Sequence, residues 1–68
     1  MQQKKLAFIG AGNMSRSIIS GLIKSGYAKE NILAANPSTP KLDGLKAEFG
    51  IHTTQSNDEA CQFADAIV

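Results

Sequence analysis

Sixty-eight residues with 43% apolar and 19% charged side chains and a formal net charge of +1 describe an ordinary globular chain. The near-neutral balance excludes a nucleic-acid or membrane-surface partner held by bulk charge, and no apolar run is long enough to span a bilayer. A chain this short buries only about 60% of the surface it exposes when unfolded, and its single cysteine, Cys61, allows no internal disulfide and points to a reducing cytoplasm.

Lys4 and Lys5 read as a solvated flank. The apolar residues after them are interrupted by Asn13, Ser15, Arg16 and Ser17, so no secretory core segment forms. Lys5 to Ile9 is expected to be the first strand. After a glycine turn, Met14, Ile18, Ile19, Leu22 and Ile23 recur at helical spacing as one apolar stripe, and Gly26 is placed to end that helix in a left-handed conformation. Ile32-Leu33-Ala34-Ala35 is a second strand. Asn36-Pro37-Ser38-Thr39-Pro40, bracketed by prolines, reads as a loop. Leu42, Leu45 and Phe49 share a face of a second helix that Gly44 weakens and Gly50 stops. Ile51 to Thr54 is a third strand. Ser56 and Glu59 have capping-box spacing at the start of a third helix that runs to about Ala64. A fourth strand begins near Asp65 or Ala66.

Alternating strands and helices with short connections imply right-handed crossovers and an α/β, Rossmann-type parallel sheet with flanking helices, in strand order 3-2-1-4, truncated after the start of strand four. The crevice between strands one and four is the expected binding place. Residues 1–68 are expected to be a partial N-terminal dinucleotide-binding domain of a longer protein, because the segment Phe63 to Val68 runs out into a new strand.

The chemistry is concentrated between strand one and helix one. Ile9-Gly10-Ala11-Gly12-Asn13-Met14 follows an apolar strand and opens an amphipathic helix, which is where unpaired helix N–H groups can hold a pyrophosphate. Ser15 stands where the third glycine of the usual fingerprint falls and adds little volume. At the end of strand two, where NAD-binding versions carry an acidic residue, the chain has Asn36, and no carboxylate follows until Asp43. Asn36, Ser38 and Thr39 offer neutral donors and Lys41 a positive charge, so NADP (NADPH) is inferred over NAD, with NAD still possible. Asn36 and Ser38 could instead only shape the turn, or Ser38 or Thr39 could cap the second helix. Asn57, just past strand three, either bonds the adenosine half or serves only the helix start.

His52 reads as a solvent-facing strand residue, Cys61 as a core filler, Arg16 as solvent-facing although within reach of a phosphate, and Tyr27 as packed beneath a loop. No catalytic triad, paired carboxylates or metal-ligand cluster is visible.

Phe8-Ile9-Gly10-Ala11-Gly12-Asn13-Met14, with Ser17-Ile18-Ile19-x-Gly21-Leu22, strongly resembles the start of the pyrroline-5-carboxylate reductases. So do Ala35-Asn36-Pro37-Ser38 and Ala64-Asp65-Ala66-Ile67-Val68. The family often has alanine where this chain has Ser15. The resemblance covers the whole chain but only about the first quarter of such an enzyme. It implies an NAD(P)H-dependent reduction of a small-molecule substrate, 1-pyrroline-5-carboxylate, to L-proline. It also implies a C-terminal helical domain, absent from this chain, that holds the substrate and builds a homo-oligomer. Ile9 to Met14 would wrap the pyrophosphate, Asn36 would meet the adenosine ribose or its phosphate, and Asn57 would touch the adenosine side. The segment alone would be inert. The competing expectations are another NADP-dependent imine or β-hydroxyacid reductase, or a non-catalytic nucleotide-sensing domain.

Overall fold

The four residues Ile32–Ala35 are buried on both faces, as a central parallel strand requires, and they organise the rest of the chain. The computed structural model describes residues 4–10 and 12–67. Its elements run β1 (Leu6–Ile9), α1 (Asn13–Lys24), a 3-10 turn at Lys29–Asn31, β2 (Ile32–Ala35), α2 (Thr39–Phe49), β3 (His52–Thr54), α3 (Asn57–Phe63) and β4 (Ala66–Ile67). The strands form one parallel sheet in the order β3-β2-β1-β4, as the sequence predicts.

The two-residue period of the strands divides the core. Phe8 on β1 and Ile32 and Ala34 on β2 meet Ile19 of α1, Leu42 and Leu45 of α2, and Ile51. On the other face, Ala7, Leu33 and Ala35 meet Ala60 of α3. The small side chains on this second face let α3 lie close to the sheet. Helices α1 and α2 thus cover one face and α3 the other, as right-handed crossovers require when the strand order reverses after β3. The start of β4 is fastened to β1 by reciprocal bonds. The Lys5 N–H donates to Asp65 Oδ2 at 3.0 Å, and the Asp65 N–H donates to Lys5 O at 2.8 Å.

Helix ends follow the sequence signals closely. Gly26, at φ +97°, follows α1 in a Schellman arrangement, with Gly26 N–H donating to Ile23 O at 3.1 Å and Tyr27 N–H to Leu22 O at 2.9 Å. The Tyr27 hydroxyl donates to the Lys4 carbonyl while its ring packs against the core. Gly50, at φ +71°, ends α2. Ser56 caps α3 by accepting from the Glu59 N–H at 3.3 Å. The reciprocal arm of a capping box is replaced: Thr54 Oγ1 donates to Glu59 Oε2 at 2.7 Å and accepts from the Ser56 N–H at 3.1 Å.

Three expectations are corrected. Thr39 and Pro40 belong to α2 and not to a loop, because proline in the first helical turn gives up an N–H that has no partner there anyway. Met14 and Ile18 are exposed, at 79% and 41%, and do not join the core stripe. The packed face of α1 carries Ile19, Leu22 and Ile23, with Ser15 half-buried one turn before Ile19, and Met14 and Ile18 lie one residue, or about 100°, off that face. Cys61 is exposed, since its neighbour Ala60 takes the buried position of α3. His52 is exposed as expected, and its ring tilts against Phe63 with centroids 5.4 Å apart.

Candidate nucleotide-binding site

The parallel register brings the carboxyl ends of three strands into one row. Ile9 pairs with Ala35, and Ala35 pairs with Thr54. Two further bonds extend the ladder just past the strands: Gly10 N–H to Ala35 O at 2.6 Å and Asn36 N–H to Thr54 O at 3.1 Å. Helices α1, α2 and α3 then leave from this same edge, with Gly12, Ser38 and Ser56 as their N-cap residues. The residues singled out for the cofactor, apart from Ala11, which lies outside the described residues, stand on this edge.

The two described glycines of the motif have different physical reasons. Gly10 sits at φ +98°, a conformation that side-chain-bearing residues rarely adopt, and it lets the chain turn out of β1. Gly12 sits at φ −79°, ψ −178°, which any residue can adopt. A Cβ there would meet no atom of the chain within 4 Å. Packing within the chain therefore does not require glycine at position 12, and the free space in front of it is what a closely approaching ligand would use.

The three helix N-termini are not equivalent. Helix α3 is satisfied from within: Ser56 caps it, and Asp58 and Glu59 lie in its first turn. Helices α1 and α2 have neither a side-chain cap nor an acidic residue in their first turns. The first intrahelical bond of α1 runs from Arg16 N–H to Gly12 O at 3.0 Å, so the N–H groups of Asn13, Met14 and Ser15 have no partner inside the helix. An anion at this end is favoured by the donors and by the helix dipole together.

A cleft of about 360 Å³ opens between α1 and α2, lined by Gly12, Asn13, Arg16, Pro40, Lys41, Gly44, Leu45 and Glu48. Its place differs from the expected crevice between β1 and β4. Strand β4 is described for only two residues, and its Ile67 pairs with Ala7, so among the described residues that flank of the sheet edge is low. Arg16 and Glu48 meet within the cleft: Arg16 Nη2 lies 2.5 and 2.7 Å from the two carboxylate oxygens, and Nε lies 3.0 Å from Oε1. Arg16 is exposed as the sequence predicts, and nothing in the sequence spacing marks its partner 32 residues away.

The other predicted site residues fall as follows. Ile9 is 41% exposed at the end of β1, and Met14 is the most exposed large apolar residue of α1. Asn36 is half-buried, with Nδ2 donating to Ser38 O at 2.9 Å, so it shapes the turn while standing at the edge. Ser38 is exposed and is the N-cap residue of α2, but its hydroxyl makes no capping bond. Asn57 is exposed as the first residue of α3. Gln55, which the sequence did not single out, ties the two loops together by donating to Pro37 O at 3.0 Å. Among the described residues, no group of three His, Cys, Asp or Glu side chains could hold a metal ion, and no helix is long and apolar enough to cross a membrane.

The chain is similar to known proteins over its whole length. It is 50% identical over 68 residues to a pyrroline-5-carboxylate reductase of Vibrio alginolyticus, covering 100% of this chain and 25% of that one. It is 42% identical over 66 residues to the enzyme of that name from Escherichia coli, covering 96% and 24%. A solved pyrroline-5-carboxylate reductase from Coxiella burnetii superposes with a TM-score of 0.92 at 42% identity, covering 97% of this chain and 24% of that chain. The chain therefore spans about a quarter of the length of the relatives it matches. Residues 5–68 match the family described as NADP oxidoreductase coenzyme F420-dependent, whose members are nicotinamide-dependent oxidoreductases, and the chain belongs to that family.

Proposed function

We propose that this chain is the cofactor-binding first part of a reductase that passes hydride from NADPH to the C=N carbon of 1-pyrroline-5-carboxylate, giving L-proline. The observation that carries the proposal is the junction of β1 and α1. It has an open space at Gly12, uncapped N–H groups at the start of α1, and a sequence there that runs without a break into relatives bearing the reductase name. The residues present fit a dinucleotide. Ile9 to Met14 would surround the pyrophosphate, Asn36 and Ser38 would meet the adenosine ribose, and Asn57 would flank the adenine side. The bound nicotinamide would supply the hydride. The protein's part in this segment is to bind and orient.

NADPH is favoured over NADH on electrostatic grounds. The end of β2 carries Asn36 in place of a carboxylate, and Arg16 and Lys41 line the adjoining cleft. A carboxylate about 4 Å from a 2′-phosphate would repel it by roughly 4 kcal/mol at an effective dielectric near 20, less where water screens the pair. The substrate-binding and oligomer-forming parts belong to the remaining three quarters of such an enzyme, and cytoplasmic homo-oligomers are the expected working form.

Turnover tests the proposal. The full-length protein should oxidise NADPH when given 1-pyrroline-5-carboxylate. Turnover with a β-hydroxyacid or a different imine only would assign it another reductase activity. Tight nucleotide binding with no turnover of any of these would make it a sensing domain.

A further inference from the structure

The Arg16–Glu48 pair joins two helices at the surface. Its side chains are 57% and 45% exposed, and water screens so solvated a pair. Its geometry is the planar fork that arginine offers to carboxylates and phosphates alike, with both carboxylate oxygens engaged. The pair joins the first turns of α1 to the last turn of α2 and sits in the wall of the cleft, beside Gly12 and Asn13. The ionisable side chains lining that cleft are Arg16, Lys41 and Glu48, so Glu48 cancels one of two positive charges facing the space. The start of α2 adds an uncapped helix end on the same side.

We propose that Glu48 is a specificity-determining residue: it engages the Arg16 guanidinium and sets an upper limit on how strongly the cleft favours a nucleotide bearing a 2′-phosphate. A phosphate entering the cleft competes with Glu48 for the same guanidinium face and meets its negative charge. Removing that carboxylate releases the fork to the ligand. The inference rests on the site proposed above: with the adenosine ribose at Asn36 and Ser38, its 2′-phosphate would extend into the adjoining cleft.

The test is calorimetric titration of the full-length protein with adenosine 2′,5′-bisphosphate and with 5′-AMP, which differ only in the 2′-phosphate. Glu48→Gln is expected to bind the bisphosphate about five- to tenfold more tightly while 5′-AMP changes by less than about twofold. Arg16→Gln is expected to weaken the bisphosphate by a similar factor, and the double variant to lose most of the gain, because the effect of Glu48 is exerted through Arg16. Glu48→Ala provides a second variant if the first folds poorly. An unchanged ratio of the two ligands in both Glu48 variants overturns the inference while leaving the nucleotide site intact. Wild-type protein that binds neither NADPH nor NADH removes the underlying site and the inference with it.

Discussion

The contrast between Gly10 and Gly12 yields a prediction in which stability and binding separate. Gly10 is held at φ +98°, so Gly10→Ala forces a side-chain-bearing residue into a sparsely populated backbone region. Such strain costs about 1–3 kcal/mol, although a Cβ at this position would meet no other atom within 4 Å. The strain is therefore conformational and is felt with or without a ligand. Gly12→Ala meets neither obstacle, since its backbone is extended and the space in front of it is empty. Alanine is a poorer N-cap than glycine by several tenths of a kcal/mol, but it narrows the unfolded ensemble by about 0.4–1 kcal/mol. The two nearly cancel, and the expected stability change is within about 1 kcal/mol of zero. The ligand sees the opposite ranking. A methyl group at Gly12 would stand where the proposed pyrophosphate approaches, and Gly12→Val should abolish binding of NADPH and NADH alike. Denaturant unfolding of the apo protein, read beside fluorescence titration with NADPH, checks both halves. The reasoning is refuted if Gly12→Ala destabilises as much as Gly10→Ala, or if Gly12→Val binds either dinucleotide like the wild type.

Asn36→Asp introduces a carboxylate at the half-buried end of β2 and should lower NADPH affinity at least tenfold more than NADH affinity, a fraction of the roughly 4 kcal/mol unscreened repulsion; an unchanged ratio of the two dissociation constants would remove the electrostatic case for NADPH. Ser56→Ala deletes the hydroxyl that accepts from Glu59 N–H, and should destabilise the fold by about 1 kcal/mol while leaving the NADPH-to-NADH ratio unaltered. A shift in that ratio would mean that the α3 N-terminus takes part in cofactor choice.

Most of the architecture was legible because the signals for it are local. Ile32-Leu33-Ala34-Ala35 is a continuous apolar run, Gly26 and Gly50 stand where helices must stop, and Ser56 lies three residues before Glu59. Alternating strands and helices imply a parallel sheet, and the strand order follows from the dinucleotide-binding arrangement that the glycine motif suggests. The misses have physical causes as well. A proline can end a helix or begin one, and the pair Pro37 and Pro40 did not reveal which; Pro40 begins one. The apolar stripe of α1 was read too wide, because Met14 and Ile18 differ from the packed positions by a single residue step. Cys61 reads as a core residue, but the buried position belongs to its smaller neighbour Ala60, which lies against Ala7, Leu33 and Ala35. The Arg16–Glu48 pair and the cleft it lines depend on how α1 sits beside α2. No periodicity within either helix records that placement.

The cleft is also lined by a glycine that the helix itself does not favour. Gly44 lies inside α2, where it costs about 1 kcal/mol relative to alanine. Nothing within 4 Å would obstruct a Cβ there, so close packing inside this chain is not the reason for it. The same holds for Gly12, across the cleft at the start of α1, and both glycines line the opening. Two positions on facing helices thus lack side chains that their own chain could accommodate. One lies next to uncapped helix N–H groups, and the other is one turn from Pro40 and Lys41 at the uncapped start of α2. Helix α3, by contrast, is capped by its own serine and carries its own carboxylates in its first turn. Gly21 of α1 is equally unobstructed and does not line the cleft, so an open glycine alone marks nothing; it is the pairing of an open glycine with an uncapped helix start, at Gly12 and again at Gly44, that makes the α1–α2 edge the place where the proposed ligand would fit.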